Sequence, residues 1–161
     1  MRWIWIDRFT HFQEGVSATA VKLLSHAEDY FADHFPGYPV MPACLMIEGM
    51  AQTGGILVGS VNQFTKNVVL GKVVKAVFYY DVFPGDSLSY TATIVDVRDG
   101  GGTITGKIMR GEDLIADVDL FFAHVAPELT KEFLGDGNFV FTGQLQKMLG
   151  LAKSASQNAD K

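Results

Sequence analysis

Along most of this chain apolar and polar positions alternate with a period of two, and one segment breaks the rule. From Val40 to Val61 the side chains are apolar or small almost without interruption, and only Glu48 and Gln52 are strongly polar. Outside that run, the alternation predicts strands. Trp3–Arg8 alternates tryptophan with isoleucine, which predicts a strand covered on both faces or an edge that pairs. After a turn at Glu14–Gly15, the β-branched stretch Val16–Leu24 predicts a second strand. Ser25–Glu28 fits the S-x-x-E capping box and predicts a helical turn through Tyr30 and Phe31. Pro36, Gly37 and Pro39 cannot continue a helix, so His34 falls on a rigid, proline-bracketed loop.

Pro42 suits the first helical position, because its missing N–H costs nothing there. A helix over Ala43 to about Ser60 follows. It is apolar nearly all round, which predicts burial on all sides. Its stripe of Ala51, Gly55 and Gly59 lets a backbone or another helix come close. Beyond a polar loop at Asn62–Lys66, strands are predicted at Val68–Phe83, Leu88–Val97, Thr103–Arg110 and Leu114–His124. Pro84–Asp86 is a turn, and Arg98–Gly102 is a hairpin turn whose three glycines supply positive φ. This order describes an α+β layer, an antiparallel sheet against one long helix. The second face of such a sheet needs a partner. Residues 1–126 form this domain, and residues 127–161 form an extension. In the extension Lys131–Leu134 reads as a helical turn, Phe139–Phe141 as an apolar patch and Gln144–Leu151 as a short amphipathic helix. Ser154–Lys161 reads as a disordered end.

Composition narrows the class of function. The chain has 161 residues, 48% hydrophobic and 19% charged, with a net charge of −5. That suits one domain with a full core and with apolar surface to hide in an oligomer. It argues against a nucleic-acid surface, which would want a basic stripe. Cys44 is the only cysteine, so no intrachain disulfide forms, which fits a reducing cytoplasm. The apolar start before Asp7 is too short for a signal-peptide core. Val40–Val61 is long enough to cross a bilayer, but Pro42, Glu48 and the glycines favour a buried helix of a soluble protein over a span.

The chemistry concentrates at Asp33–Gly55. A carboxylate inside an apolar run is costly to desolvate unless something pairs with it or uses it. His34 and Glu48 therefore form a candidate catalytic pair. The plainer readings are a satisfied loop histidine and a glutamate turned to solvent, the second opposed by Leu45, Met46, Ile47, Met50 and Ala51. A metal set of His26, Glu28, Asp33 and His34 matches no common ligand spacing. A Cys44–His34 nucleophile lacks an orienting third group. His11, His26 and His124 carry no specific signal, and Asp117 and Asp119 read as a solvent face.

The string HFPGYPVMPACLMIEGMAQ, from His34 to Gln52, resembles the signature of the FabZ-type 3-hydroxyacyl-acyl-carrier-protein dehydratases. It matches at His34, Phe35, Pro36, Gly37, Pro39, Val40, Met41, Pro42, Leu45, Glu48, Met50, Ala51 and Gln52. A second block, AVFYYDVFPGD at 76–86, resembles the family's strand and turn ending in P-G-D. The resemblance runs from about Trp3 to Val125 and omits the tail. It implies a hot-dog fold, a curved antiparallel sheet wrapped around one central helix. It also implies a homodimer with shared sites, often built into a hexamer as a trimer of dimers. Each site takes His34 from one protomer as base and Glu48 from the other as acid. Ala43, Gly37 and Gln52 serve the oxyanion and the substrate. No metal or organic cofactor is implied, and the substrate is an acyl thioester on acyl carrier protein or coenzyme A.

The sequence departs from the family pattern at several positions. The glycine after V-M-P is Ala43, and the usual alanine after the glutamate is Gly49, a change that loosens the helix. Arginines of the second block are replaced by Val77, Tyr79 and Tyr80, leaving Lys72 and Lys75 nearby. Glutamate at the acid position separates the chain from the sister FabA type, which has aspartate and isomerises the double bond. The alternative functions are a hot-dog acyl thioesterase and a non-catalytic acyl-binding or partner subunit.

Overall fold

The computed structural model describes residues 4–126 and 147–150. Strands β1 (Arg8–Gln13) and β2 (Ser17–Leu23) precede the helix α1 (Ala43–Val61), and β3 (Asn67–Phe78), β4 (Ser87–Arg98), β5 (Gly101–Arg110) and β6 (Asp113–Val125) follow it. All six strands join one antiparallel sheet in the order β1-β2-β4-β5-β6-β3. The sheet wraps α1, which is the hot-dog arrangement.

Alternation along the strands decides which face meets the helix. Ala18, Ala20, Leu88, Tyr90, Ala92, Ile104, Ile108, Val118 and Leu120 have no exposure at all. They close over Met46, Met50, Ile56, Leu57 and Val58 of α1. Each fully buried aliphatic side chain of this kind contributes about 1.5–3 kcal/mol. The helix lies close to the sheet because a glycine in each layer makes room for a large side chain of the other. A Cβ at Gly54 would stand 2.8 Å from Ile104 Cδ1, and one at Gly106 would stand 2.5 Å from Met50 Sδ. Of the small-residue stripe, a Cβ at Gly55 would meet Phe122 of β6 at 3.3 Å, and one at Gly59 would meet Phe64 at 2.9 Å and Val68 of β3 at 3.4 Å.

Several expectations move. The strand expected at Trp3–Arg8 begins at Arg8, and the residues from Ile4 to Asp7 lead into it without joining the ladder as a strand. Trp5 and Ile6 are consecutive yet both buried, so their apolar character reflects docking onto the core and not two strand faces. The helical turn expected from Ser25 is a 3₁₀ turn at Asp29–Ala32. Ser25 Oγ accepts from the Ala27 N–H at 3.2 Å, and Glu28 reaches Lys22 Nζ at 2.8 Å instead of folding back to close the box. The third strand ends at Phe78 and not at Phe83, because Tyr79–Phe83 leaves the ladder to meet the loop before α1, where Met41 N–H donates to Val82 O at 2.8 Å. Only Asp99 and Gly100 make the β4–β5 turn. Gly101 and Gly102 are already strand, and at Gly102 a Cβ would meet Val58 Cγ1 at 2.9 Å, so that glycine serves close packing.

Burial of α1 is also incomplete. Every residue from Gly49 to Ser60 is buried, whereas Ala43 and Cys44 are exposed and Leu45, Ile47 and Glu48 are half-buried. The first turns of the helix project beyond the cover that one sheet supplies. The helix is apolar and long enough to span a membrane, and it is the core helix of this fold. In the extension, residues 147–150 are helical, within the helix expected at Gln144–Leu151. The turn at Lys131–Leu134, the patch Phe139–Phe141 and the end Ser154–Lys161 lie outside the described residues.

Candidate active site

His34 is held by a small closed loop. Pro36 and Gly37 occupy the centre of a tight turn, with Gly37 at φ 80°, a conformation open to glycine at no steric cost. Phe35 and Tyr38 exchange both backbone bonds at 2.9 Å, and Val40 N–H donates to His34 O at 2.9 Å. The His34 N–H donates to Tyr30 O at 3.0 Å, tying the loop back to the 3₁₀ turn. The imidazole Nδ1 lies 3.1 Å from Val40 O. A carbonyl can only accept, so Nδ1 carries the hydrogen and a neutral His34 presents a bare lone pair on Nε2. The ring is half-buried and stacks on Phe35, with centroids 4.1 Å apart.

Glu48 stands one turn into α1. Its Oε1 accepts from Gln52 Nε2 at 2.9 Å, and Gln52 Oε1 accepts the buried backbone N–H of Trp5, also at 2.9 Å. The four-residue spacing puts both side chains on one helix face. Gln52, 9% exposed, thus anchors a half-buried carboxyl to the N-terminal segment of the fold. Trp5 carries no sequence signal for this task, since it acts through its backbone.

Between these two residues in the sequence lies the start of the helix. Leu45 and Met46 N–H groups both reach Pro42 O, and no side chain caps the end. The N–H groups of Ala43 and Cys44 have no intrahelical acceptor, and both residues are exposed. The first turn contains no acidic residue, so the positive end of the helix dipole is uncompensated there. Ala43 keeps the N–H that the family glycine would offer. Gly37 is exposed at the tip of the His34 turn.

His34 and Glu48 share no hydrogen bond within this chain; His34 is occupied by Val40 and Glu48 by Gln52. Both side chains are half-buried. Cys44 is a free, exposed thiol on the first turn. Tyr38 OH donates to Asp81 at 3.0 Å, and Arg110 joins the Asp81 carbonyl to the Asp86 carboxylate, so the loop is braced against the chain that follows β3. A surface hollow of about 320 Å³ is lined by Tyr79, Tyr80, Glu112, Asp113 and Leu114. None of these belongs to the His34–Glu48 constellation.

Residues 3–119 match the family described as FabA-like domain. The 3-hydroxyacyl-[acyl-carrier-protein] dehydratase FabZ of Desulforamulus reducens is 35% identical over 119 residues, which cover 73% of this chain and 84% of that protein. The protein of the same name from Pelotomaculum thermopropionicum is 37% identical over 119 residues, covering 73% and 85%. Among solved structures, the dehydratase heterocomplex ApeI:P from Xenorhabdus doucetiae aligns with a TM-score of 0.67 at 12% identity, covering 82% of this chain and 90% of that one. A thioesterase from Haemophilus influenzae aligns at 0.59 and 12% identity, covering 73% and 77%. At these identities the structural likeness is one of fold, and several activities share the fold.

Proposed function

This chain belongs to the FabA-like domain family, and on that premise we propose that it dehydrates 3-hydroxyacyl thioesters to trans-2-enoyl thioesters. The substrate is carried on acyl carrier protein, as the names of its 34–37% identical relatives indicate for them, and the setting is fatty-acid or related acyl-chain synthesis in the cytoplasm.

The observation that carries the assignment of roles is the His34–Val40 hydrogen bond. It commits Nδ1 and leaves Nε2 as the nitrogen with a lone pair for use as a base. Nε2 takes the α-proton of the thioester. Negative charge then builds on the thioester oxygen, which the free N–H groups at Ala43 and Cys44 stabilise with the helix dipole. Gly37 leaves room for the substrate at the loop tip. Glu48, protonated, passes its proton to the departing 3-hydroxyl, and water leaves as the double bond forms. His34 ends protonated and Glu48 ends as carboxylate, so a proton returned through solvent resets the pair. Gln52 holds the carboxyl throughout. No step calls for a cofactor.

The site is completed by a second copy. β3 is an edge strand of twelve residues with Leu70, Val73 and Val74 exposed, a surface that a soluble chain covers or blunts. A twofold pair of β3 edges continues the sheet and brings the open side of one protomer's helix start toward its partner's His34 loop. Three such dimers make the hexamer.

The test follows enoyl thioester absorbance. His34→Ala and Glu48→Gln each lower kcat by about a hundredfold or more. Refolding the two inactive variants together restores about a quarter of wild-type activity, because half the dimers are mixed and each mixed dimer has one intact shared site. Zero recovery removes the shared site, and full activity of either single variant removes that residue from catalysis. Release of free thiol in place of enoyl product would identify a thioesterase.

A further inference from the structure

Gly49 and Tyr90 interlock, and we propose that Tyr90 is a positioning residue that sets where the Glu48 carboxyl stands. The proposal rests on the reading of Glu48 as the acid and adds to it a residue from the opposite layer of the fold. A Cβ at Gly49 would lie 2.7 Å from Tyr90 Cζ, 2.9 Å from Cε1 and 3.0 Å from the hydroxyl oxygen. The outer edge of the ring therefore presses directly on the helix backbone beside Glu48. Tyr90 cannot retreat. It sits mid-strand in β4 between Ala20 and Ile108 and has no exposure. Its hydroxyl has no hydrogen-bond partner among the described residues, so size and not polarity keeps it there.

The next helix residue is pinned in the same way, with Met50 against the bare backbone of Gly106. Residues 49 and 50 thus form a clamp between α1 and the strands β4 and β5. Toward the N-terminus the cover falls away, and Glu48 is the first side chain outside it. A rotation of about 10° at the clamp moves a tip at the roughly 6 Å outer radius of a helix by about 1 Å. Misplacement of that size costs about a hundredfold in rate. Gly49, the residue that departs from the family's alanine, is then a matched partner of Tyr90. Its low helix propensity comes with the room that the Tyr90 ring fills.

Four proteins test this: wild type, Gly49→Ala, Tyr90→Met and Gly49→Ala/Tyr90→Met. Methionine is long and thin and yields to a methyl at position 49. Turnover is measured well below each melting temperature. Gly49→Ala is expected to lower kcat by about ten- to a hundredfold with KM changed less than about twofold. The double variant is expected to recover at least about tenfold of that loss. Wild-type kcat in Gly49→Ala, or a double variant no faster than Gly49→Ala, overturns the proposal. Should Gly49→Ala not fold, Tyr90→Met alone must lower kcat at unchanged KM, and unchanged kcat there overturns it equally. A wild type that makes no enoyl product sinks the dehydratase reading itself, a result distinct from these.

Discussion

Replacing Gln52 by leucine removes both ends of the bridge that joins Trp5 to Glu48 while nearly preserving volume. Two costs follow. The backbone N–H of Trp5, on a residue 2% exposed, loses its acceptor, which costs about 1–3 kcal/mol for a buried donor. The bond to Glu48 adds about 1 kcal/mol. Leucine returns about 1 kcal/mol through extra apolar burial. The net loss is about 2 kcal/mol, or about 4–8 °C in melting temperature for a chain of this size. Urea unfolding followed by tryptophan fluorescence at fixed protomer concentration measures it, since Trp5 itself sits at the bridge. The kinetic effect is separate. Freed from Gln52, the carboxyl samples other rotamers, and kcat falls about tenfold. A double-mutant cycle with Glu48→Gln isolates the pair, with an expected coupling of about 0.5–1.5 kcal/mol. Stability within about 0.5 kcal/mol of wild type, together with unchanged kcat, would refute the claim that Gln52 anchors the acid.

Three further outcomes follow from the same geometry. Burial holds the Tyr90 phenol above its ordinary value of 10.0. The folded state therefore keeps the proton after the unfolded chain has released it, and this contribution is complete below about pH 10 and erodes as pH rises. Wild type should lose about 1.4 kcal/mol per pH unit more steeply above pH 10 than Tyr90→Phe, and parallel stability curves for the two would contradict this. Gly106→Ala forces a methyl to within 2.9 Å of Val118 O and against Met50, so thermal melting should report a loss of about 1–3 kcal/mol. Lysine at both Val73 and Val74 places charge on the β3 edge, and size-exclusion chromatography should shift toward monomer with loss of turnover; an unchanged dimer would move the interface elsewhere.

The helix and the histidine loop were legible in the sequence because their signals are local. Pro42 marks the start of α1, and Pro36, Gly37 and Pro39 confine His34 to a turn whatever surrounds it. What escaped was set by distant chain. The partner of Gln52 lies 47 residues away and acts through its backbone, which no side-chain pattern reports. Trp5 and Ile6 looked like alternating strand faces because apolar residues that dock on a core and those that line a sheet are chemically alike. Ser25 and Glu28 satisfied a local helix-start rule, but Lys22, buried and needing counter-charge, drew Glu28 away. That the Tyr90 ring fills the place of a Gly49 side chain is set by another element, so the helix sequence alone does not report it.

The strand order has a consequence for synthesis. β1 pairs with β2, and β4, β5 and β6 follow one another as hairpins, so each of these finds a neighbour almost as soon as it is made. β3 does not: its ladder is with β6, the last strand of the sheet. At 5–20 residues per second, the ribosome completes β6 about two to ten seconds after β3. For that interval a twelve-residue strand has neither edge occupied. Nascent chains on neighbouring ribosomes are then most prone to pair wrongly through β3. A dimer that uses the free edge of β3 forms only after β6 has claimed the other, so subunit assembly waits for the whole domain to emerge.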